Sequence, residues 1–299
     1  MTDKLATNRI SSLNISSGWL NGFLGMLIFS ASLPATRIAV MDFNPIFLTS
    51  VRATIAGLLG FALLMIFNEK RPGREDFLPL FIVAIGVVVG FPLFTALALQ
   101  HITASYSIVF IGILPLVTAL FGVLLAGERP TVSFWVFSCV GSMLVAGFAL
   151  TRGIDFSLFG NLYMLAAIIV CGMGYAQGAV LSRKFGGWQV ISWALILSLP
   201  AMASISVFTR PETLLNISPG AWIGLFYVSV FSMLVGFIFW YRGLAQGGIA
   251  AVGQLQLLQP FFGFFLAAIL LRESIGLDTM IVTIAVILCV IGAKHFNWD

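Results

Sequence analysis

The sequence predicts an all-helical integral membrane protein: ten transmembrane helices arranged as two inverted five-helix repeats. Composition sets the environment. With 60% hydrophobic residues against 9% charged, 28 Phe and a mean hydropathy of +1.07 over 299 residues, the chain has more apolar surface than a water-soluble core can hide. An internal repeat sets the architecture. The stretch from Ala104 to Thr131, ASYSIVFIGILPLVTALFGVLLAGERPT, has the layout of the stretch from Gly247 to Ile275, GGIAAVGQLQLLQPFFGFFLAAILLRESI. At an ungapped offset of 145 residues (260 − 115 = 145), Pro115 meets Pro260, Leu125 meets Leu270, Glu128 meets Glu273 and Gly147 meets Gly292. In both copies an apolar run of membrane-spanning length carries a proline near its middle and closes on a glutamate beside an arginine. The proline removes a backbone donor and kinks the helix, and the glutamate is expected where water begins.

Residues 1–17 read as a polar cytoplasmic tail with Lys4 and Arg9. Five apolar runs of about 20 residues follow, each long enough to cross a bilayer: Gly18 to Val40, Pro45 to Phe67, Phe77 to Leu99, Ala104 to Ala126 and Thr131 to Thr151. They make residues 18–151 the first repeat. The first run is too long for a cleaved leader, although Ser30-Ala31-Ser32 has the small side chains of a cleavage site. Residues 158–294 form the second repeat, with runs from Leu158 to Leu181, Val190 to Thr209, Pro219 to Trp240, Ile249 to Leu271 and Gly276 to Lys294. Glycines four apart, such as Gly86 with Gly90, Gly174 with Gly178, Gly220 with Gly224 and Gly243 with Gly247, suit close helix approach.

Charge orients the runs. With the N-terminus cytoplasmic, that side holds Lys4, Arg9, Lys70, Arg71, Arg74, Arg129, Arg183, Lys184, Arg242 and Lys294, against Arg152, Arg210 and Arg272 on the other. The asymmetry predicts both termini inside. An odd number of spans per repeat turns the second upside down relative to the first, an arrangement found above all in transporters.

Several functions are excluded by what is missing. The acids are Asp3, Asp42, Glu69, Glu75, Asp76, Glu128, Asp155, Glu212, Glu273, Asp278 and Asp299, and none falls in the middle of a run; His101 and His295 are peripheral too. A proton-driven carrier or a carrier dedicated to organic cations ordinarily needs a membrane carboxylate, so facilitated movement is the expectation. There is no nucleotide-binding loop, HExxH or GxSxG, and Cys139, Cys171 and Cys289 lack metal-ligand spacing. No enzyme activity, cofactor or metal is expected. The basic residues form no patch for nucleic acid.

Polar residues in hydrocarbon face a wet cavity or a partner helix. Gln254, Gln256 and Gln259 lie in the ninth run, and Gln256 and Gln259, three apart, share a helix face and can present amides to one ligand. Interhelical hydrogen bonding is the competing role. Tyr106 in the fourth run, and Tyr175 and Gln177 in the sixth, are further cavity candidates. Trp240 and Tyr241 close the eighth run, where interfacial anchoring competes with binding. Arg37 lies close enough to an end to snorkel, whereas Arg52 sits about a third of the way into the second run. Each either clamps a carboxylate or ties itself to helix-end carbonyls or Asp42. Pro115 and Pro260 are the candidate gates.

The segment Phe29-Ser30-Ala31-Ser32-Leu33-Pro34-Ala35-Thr36-Arg37, followed by Phe47-Leu48-Thr49-Ser50-Val51-Arg52 and by Pro115, Glu128, Pro260 and Glu273, resembles the drug/metabolite transporter superfamily in its ten-span form with two EamA-type repeats. The resemblance covers nearly the whole chain. The subgroup it looks like is the YddG-type exporters of aromatic amino acids and related metabolites, although Phe29, Ser30 and Arg37 stand where that subgroup usually has tryptophan, glycine and lysine. The resemblance implies a bacterial inner membrane, a central cavity lined by spans one to four and six to nine with Ser32 among its candidates, and spans five and ten as scaffold or homodimer contact. It implies a small-molecule substrate, amino acids including aromatic ones, exported by alternating access. A multidrug or metabolite exporter coupled to a proton gradient and an oligomeric channel are the alternatives.

Overall fold

The computed structural model describes residues 17–151, 157–213, 216–263 and 277–296. The tail 1–16, Arg152 and Asp155, and the far end of the ninth apolar run with Arg272 and Glu273 lie outside the described residues. The helices are α1 (Ser17–Val40), α2 (Pro45–Ile66), α3 (Arg74–His101), α4 (Ala104–Ile111), α5 (Leu114–Ala126), α6 (Val132–Thr151), α7 (Leu158–Phe185), α8 (Gly187–Phe208), α9 (Pro219–Gly247), α10 (Ile249–Gly253) and α11 (Leu277–His295), with no strand among the described residues. Six of them, α1, α2, α3, α7, α8 and α9, are long and apolar enough to cross a membrane unaided.

Successive long helices run in opposite directions, which gives the bundle two chemically different ends. At one end the chain turns at polar N-caps that meet orphan amides. Asn44 accepts from Ile46, Thr103 from Tyr106, Ser157 from Gly160 and Ser218 from Ala221, with Pro45 and Pro219 in the first turns of α2 and α9. Here the Ser218 amide donates to Asp42 over 2.9 Å, and hydrogen bonds from Ser218 hold the Asp42 carboxyl below its usual value. The opposite end carries the charged ties: Lys184 to Asp76 at 2.8 Å, Gln189 to Glu69 at 3.0 Å and Arg183 to Glu128 at 3.2 Å. Two of its junctions are single glycines, Gly186 (φ 102°) between α7 and α8 and Gly248 (φ 90°) between α9 and α10, angles that a Cβ makes costly. Thus α1 starts at the Glu128 end and α7 starts at the Asp42 end.

Regular helix fails at matching places in the two halves. Pro115 lacks an N–H and its ring crowds the carbonyl four residues back, so α4 stops at Ile111 and α5 begins anew at Leu114. Ahead of Pro260 the chain tightens into a 3-10 segment, Gln254–Leu258. The fourth and ninth apolar runs are therefore broken helices. In α3 and α9 the backbone widens into π segments, Ala84–Gly90 and Tyr227–Val235. Shifted by 145 residues the first becomes 229–235, which lies inside the second.

Close packing follows the glycines. A methyl group on Gly243 would lie 2.5 Å from the Gly22 nitrogen, and one on Gly25 2.9 Å from the Trp240 nitrogen, so α1 and α9 touch backbone to backbone near the Glu128 end. Gly86 meets Gly174 in the same way between α3 and α7. Helices α6 and α11 lie against each other at the edge, with Met143 72% and Ile281 66% exposed on their outer faces.

Candidate functional site

The central cavity sits where all these irregularities converge. From α1 come Phe29, Ser32 and Thr36, and from α2 Arg52; α3 adds Phe91 and Thr95 beyond its π segment. Leu114 starts α5, Tyr175 comes from α7, and Ser232 and Phe237 flank the end of the π segment in α9. Gln259 closes the ring just before Pro260. Three pairs of lining residues obey the 145-residue offset: Val87 with Ser232, Pro92 with Phe237, and Leu114 with Gln259. Both halves of the chain build one site.

About 530 Å³ separates the lining atoms if the open margins are included, but a water-sized sphere can place its centre in only about 30 Å³. The smaller figure governs occupancy, and it holds roughly two water molecules. A solute of amino-acid size therefore needs the walls to move apart. One wall is aromatic: Phe29 stacks on Tyr175 with centroids 6.5 Å apart and planes at 12°, and meets Phe237 edge to face at 5.1 Å. The other is polar. Ser32 donates to Ser232 over 2.8 Å, linking α1 to α9, and Gln259 donates its amide to the Phe29 carbonyl over 3.2 Å.

Arg52 stands apart in chemistry. It is 6% exposed, its Nε has no hydrogen-bond partner, and no ion pair or hydrogen bond joins its guanidinium to another described residue. The tie to Asp42, the alternative to carboxylate binding, is not made among the described residues. Arg37, by contrast, is the structural tie: it donates from Nη1 to the Leu99 carbonyl, joining the ends of α1 and α3 outside the cavity. Arg37→Met is expected to lower stability in detergent by about 1.5–3 kcal/mol, the worth of a hydrogen bond to a charged group. The ratio of transport rates between substrates should stay unchanged, and a changed ratio would put Arg37 on the substrate path.

Ser32, Arg52, Tyr175 and Gln259, of the residues expected in the cavity, do line it. Tyr106 instead packs edge to face on Phe110 in the core, and Gln177 is half-buried on α7 away from the cavity. Trp240 and Tyr241 do not anchor the chain at a membrane surface, because both are fully buried. Tyr241 donates its hydroxyl to the Gly174 carbonyl at 3.1 Å, and the Trp240 ring lies 5.4 Å from Tyr175. Gln254 and Gln256 are also fully buried and off the cavity wall; the 3-10 segment rotates Gln256 out of the register that an α-helix would share with Gln259. The Gln254 amide and the Trp240 Nε1 have no partner among the described residues, whereas the Gln256 amide faces the Tyr175 hydroxyl.

Glu128 corrects a second expectation. It is not in water: at 6% exposure its carboxylate accepts the Ile249 amide at 2.7 Å and the Ala250 amide at 2.8 Å, besides Arg183. A residue closing the fourth run thus caps the helix that opens the ninth, and with the α1–α9 glycine contacts it holds α1, α9 and α10 together at this end. The sequence reading missed this role, and it missed Thr95, Ser232 and Phe237. The repeat offset was the available signal for two of them, since it carries Val87 to Ser232 and Pro92 to Phe237. Among the described residues no cluster of His, Cys, Asp or Glu has metal-site geometry.

Comparison with known proteins agrees with this architecture. The chain is 61% identical over 281 residues to the uncharacterized transporter YdeK of Bacillus subtilis, covering 94% of this chain and 98% of that one. It is 25% identical to the WAT1-related protein At3g02690, chloroplastic, of Arabidopsis thaliana, covering 95% of this chain and 73% of the relative. A crystal structure at 19% identity shares the fold with a TM-score of 0.74, over 94% of this chain and 98% of the other. The EamA-like transporter family matches twice, at residues 16–151 and 158–293, so each half of the chain is one family unit. The protein is a membrane transporter, not an enzyme, and belongs to the EamA-like transporter family.

Proposed function

We propose that the protein is a ten-span exporter of small organic metabolites, amino acids with aromatic side chains among them, working by alternating access around the central cavity. The observation that carries this is the cavity itself, walled by equivalent residues of both halves, with α1, α9 and α10 held in contact at the Glu128 end. The broken fourth and ninth runs supply the moving parts, with the two repeats inverted about an axis in the membrane plane. The Glu128 end faces the cytoplasm of a bacterial cell, since Lys70, Arg71, Arg74, Arg129, Arg183, Lys184, Arg242 and Lys294 lie at the helix ends there, and both termini follow. Movement is facilitative: no acidic side chain lines the cavity among the described residues, and buried Glu128 is already engaged by two amides and an arginine.

Uptake of labelled phenylalanine, threonine and an aromatic dication into proteoliposomes, with and without an imposed pH gradient, tests this. Saturable amino-acid uptake that ignores the gradient is expected; gradient-driven accumulation, or movement of the dication alone, would overturn it. Pro115→Ala and Pro260→Ala are expected to slow that uptake several-fold more than they lower expression, because a continuous helix stiffens the hinge. Equal losses of both would make the prolines folding determinants only.

A further inference from the structure

We propose that the cavity sorts solutes by net charge and that its preferred cargo is a small monoanion, a carboxylate on an apolar or aromatic body, held by Arg52. This rests on reading the cavity as the transport site. Arg52 is the one charged side chain on the cavity wall among the described residues. Buried and unpaired, it bears a desolvation cost that a bound anion offsets. The fold does not demand an arginine there. The position 145 residues on is Leu197, and the position found by aligning the starts of α2 and α8, Pro45 with Gly187, is Ala194. One half of the site therefore carries a charge that its structural counterpart lacks.

The surroundings suit a carboxylate. A guanidinium offers parallel N–H donors to both oxygens of such a group. Thr95, whose Oγ1 is buried without a partner among the described residues, and Thr36 add hydroxyl donors to the same cavity lining. The rings of Phe29, Tyr175 and Phe237 take the body of the solute. A partner for an ammonium is what the wall lacks. An amino acid must leave its positive end beside a guanidinium of the same sign or against a ring face, and a net cation meets the guanidinium with no carboxylate to shield it.

Four compounds with one aromatic body and four charges decide the matter: 3-phenylpropionate, phenylalanine, 3-phenylpropionamide and phenethylamine. Each is tested for its own uptake and for competition in proteoliposomes of the full chain. Phenylpropionate is expected to win by about tenfold or more over the amide and the amine, with phenylalanine between. In Arg52→Gln the anion and the amide should converge. Thr95→Asp keeps Arg52, adds a carboxylate to the same cavity lining, and should move the preference from the anion toward phenylalanine; it serves also if Arg52→Gln fails to fold. Equal competition by all four compounds in the native protein, or an anion preference that survives in the folded variants, would overturn the inference while leaving a transporter. Absence of saturable uptake for every compound would overturn the transport reading with it.

Discussion

Glu128→Ala is expected to destabilise the protein in detergent by several kcal/mol, about 1–3 kcal/mol for each of the two buried backbone amides it strands. The carboxylate is buried and accepts two backbone amides and Arg183 at 2.7, 2.8 and 3.2 Å. Removing it strands two N–H donors at the start of α10, where no turn of helix precedes them to supply carbonyls. It also leaves Arg183 without its counter-charge. Glu128→Gln should fall between, because one amide oxygen can satisfy one donor while the amide nitrogen faces the other. Thermal unfolding in detergent with proteoliposome uptake measures both effects. A Glu128→Ala protein as stable as the native one would show that water can replace the carboxylate, and the cap would then carry little energy.

The second large effect is steric. Gly243→Ala places a Cβ 2.5 Å from the Gly22 nitrogen and 2.6 Å from its Cα, and backbone cannot swing aside as a side chain can. A loss of about 1–3 kcal/mol is expected, together with reduced uptake, because α1 and α9 can no longer meet at the Glu128 end. Gly147→Ala is the matched control. A Cβ there meets nothing within 4 Å, and alanine is the better helix former by about 1 kcal/mol, so stability should hold or rise. Opposite signs for two Gly→Ala changes in helices of one bundle separate packing from propensity; equal signs would mean that propensity dominates.

Much of the fold was legible from the sequence because lipid leaves few choices. Backbone polar groups in hydrocarbon must be satisfied within a helix, so long apolar runs specify helices and short polar stretches specify turns. The repeat offset went further, since the same 145 residues that align Pro115 with Pro260 also relate the two π segments and three pairs of cavity residues. The site was harder to read. Ser32, Arg52, Tyr175 and Gln259 reach the cavity, whereas Gln256, on a tightened turn, and Trp240 and Tyr241, at the end of their run, are buried beside it. A polar side chain in an apolar run announces that it needs a partner, but it does not say whether the partner is solute, water or another helix.

The sequence by itself determined that the chain lives in a membrane, that it has two similar halves, and that each half breaks a helix at a proline. Those properties depend on local chemistry: side-chain hydropathy, a missing N–H and the length of a run. Only the tertiary structure decided that Arg37 is tied to a carbonyl while Arg52, in the cavity, has no partner among the described residues. It also decided that Glu128 is withdrawn from water to cap a helix of the other half. Those outcomes depend on which backbone groups the packing of distant helices brings within about 3 Å, the reach of a hydrogen bond, and no local pattern encodes that distance.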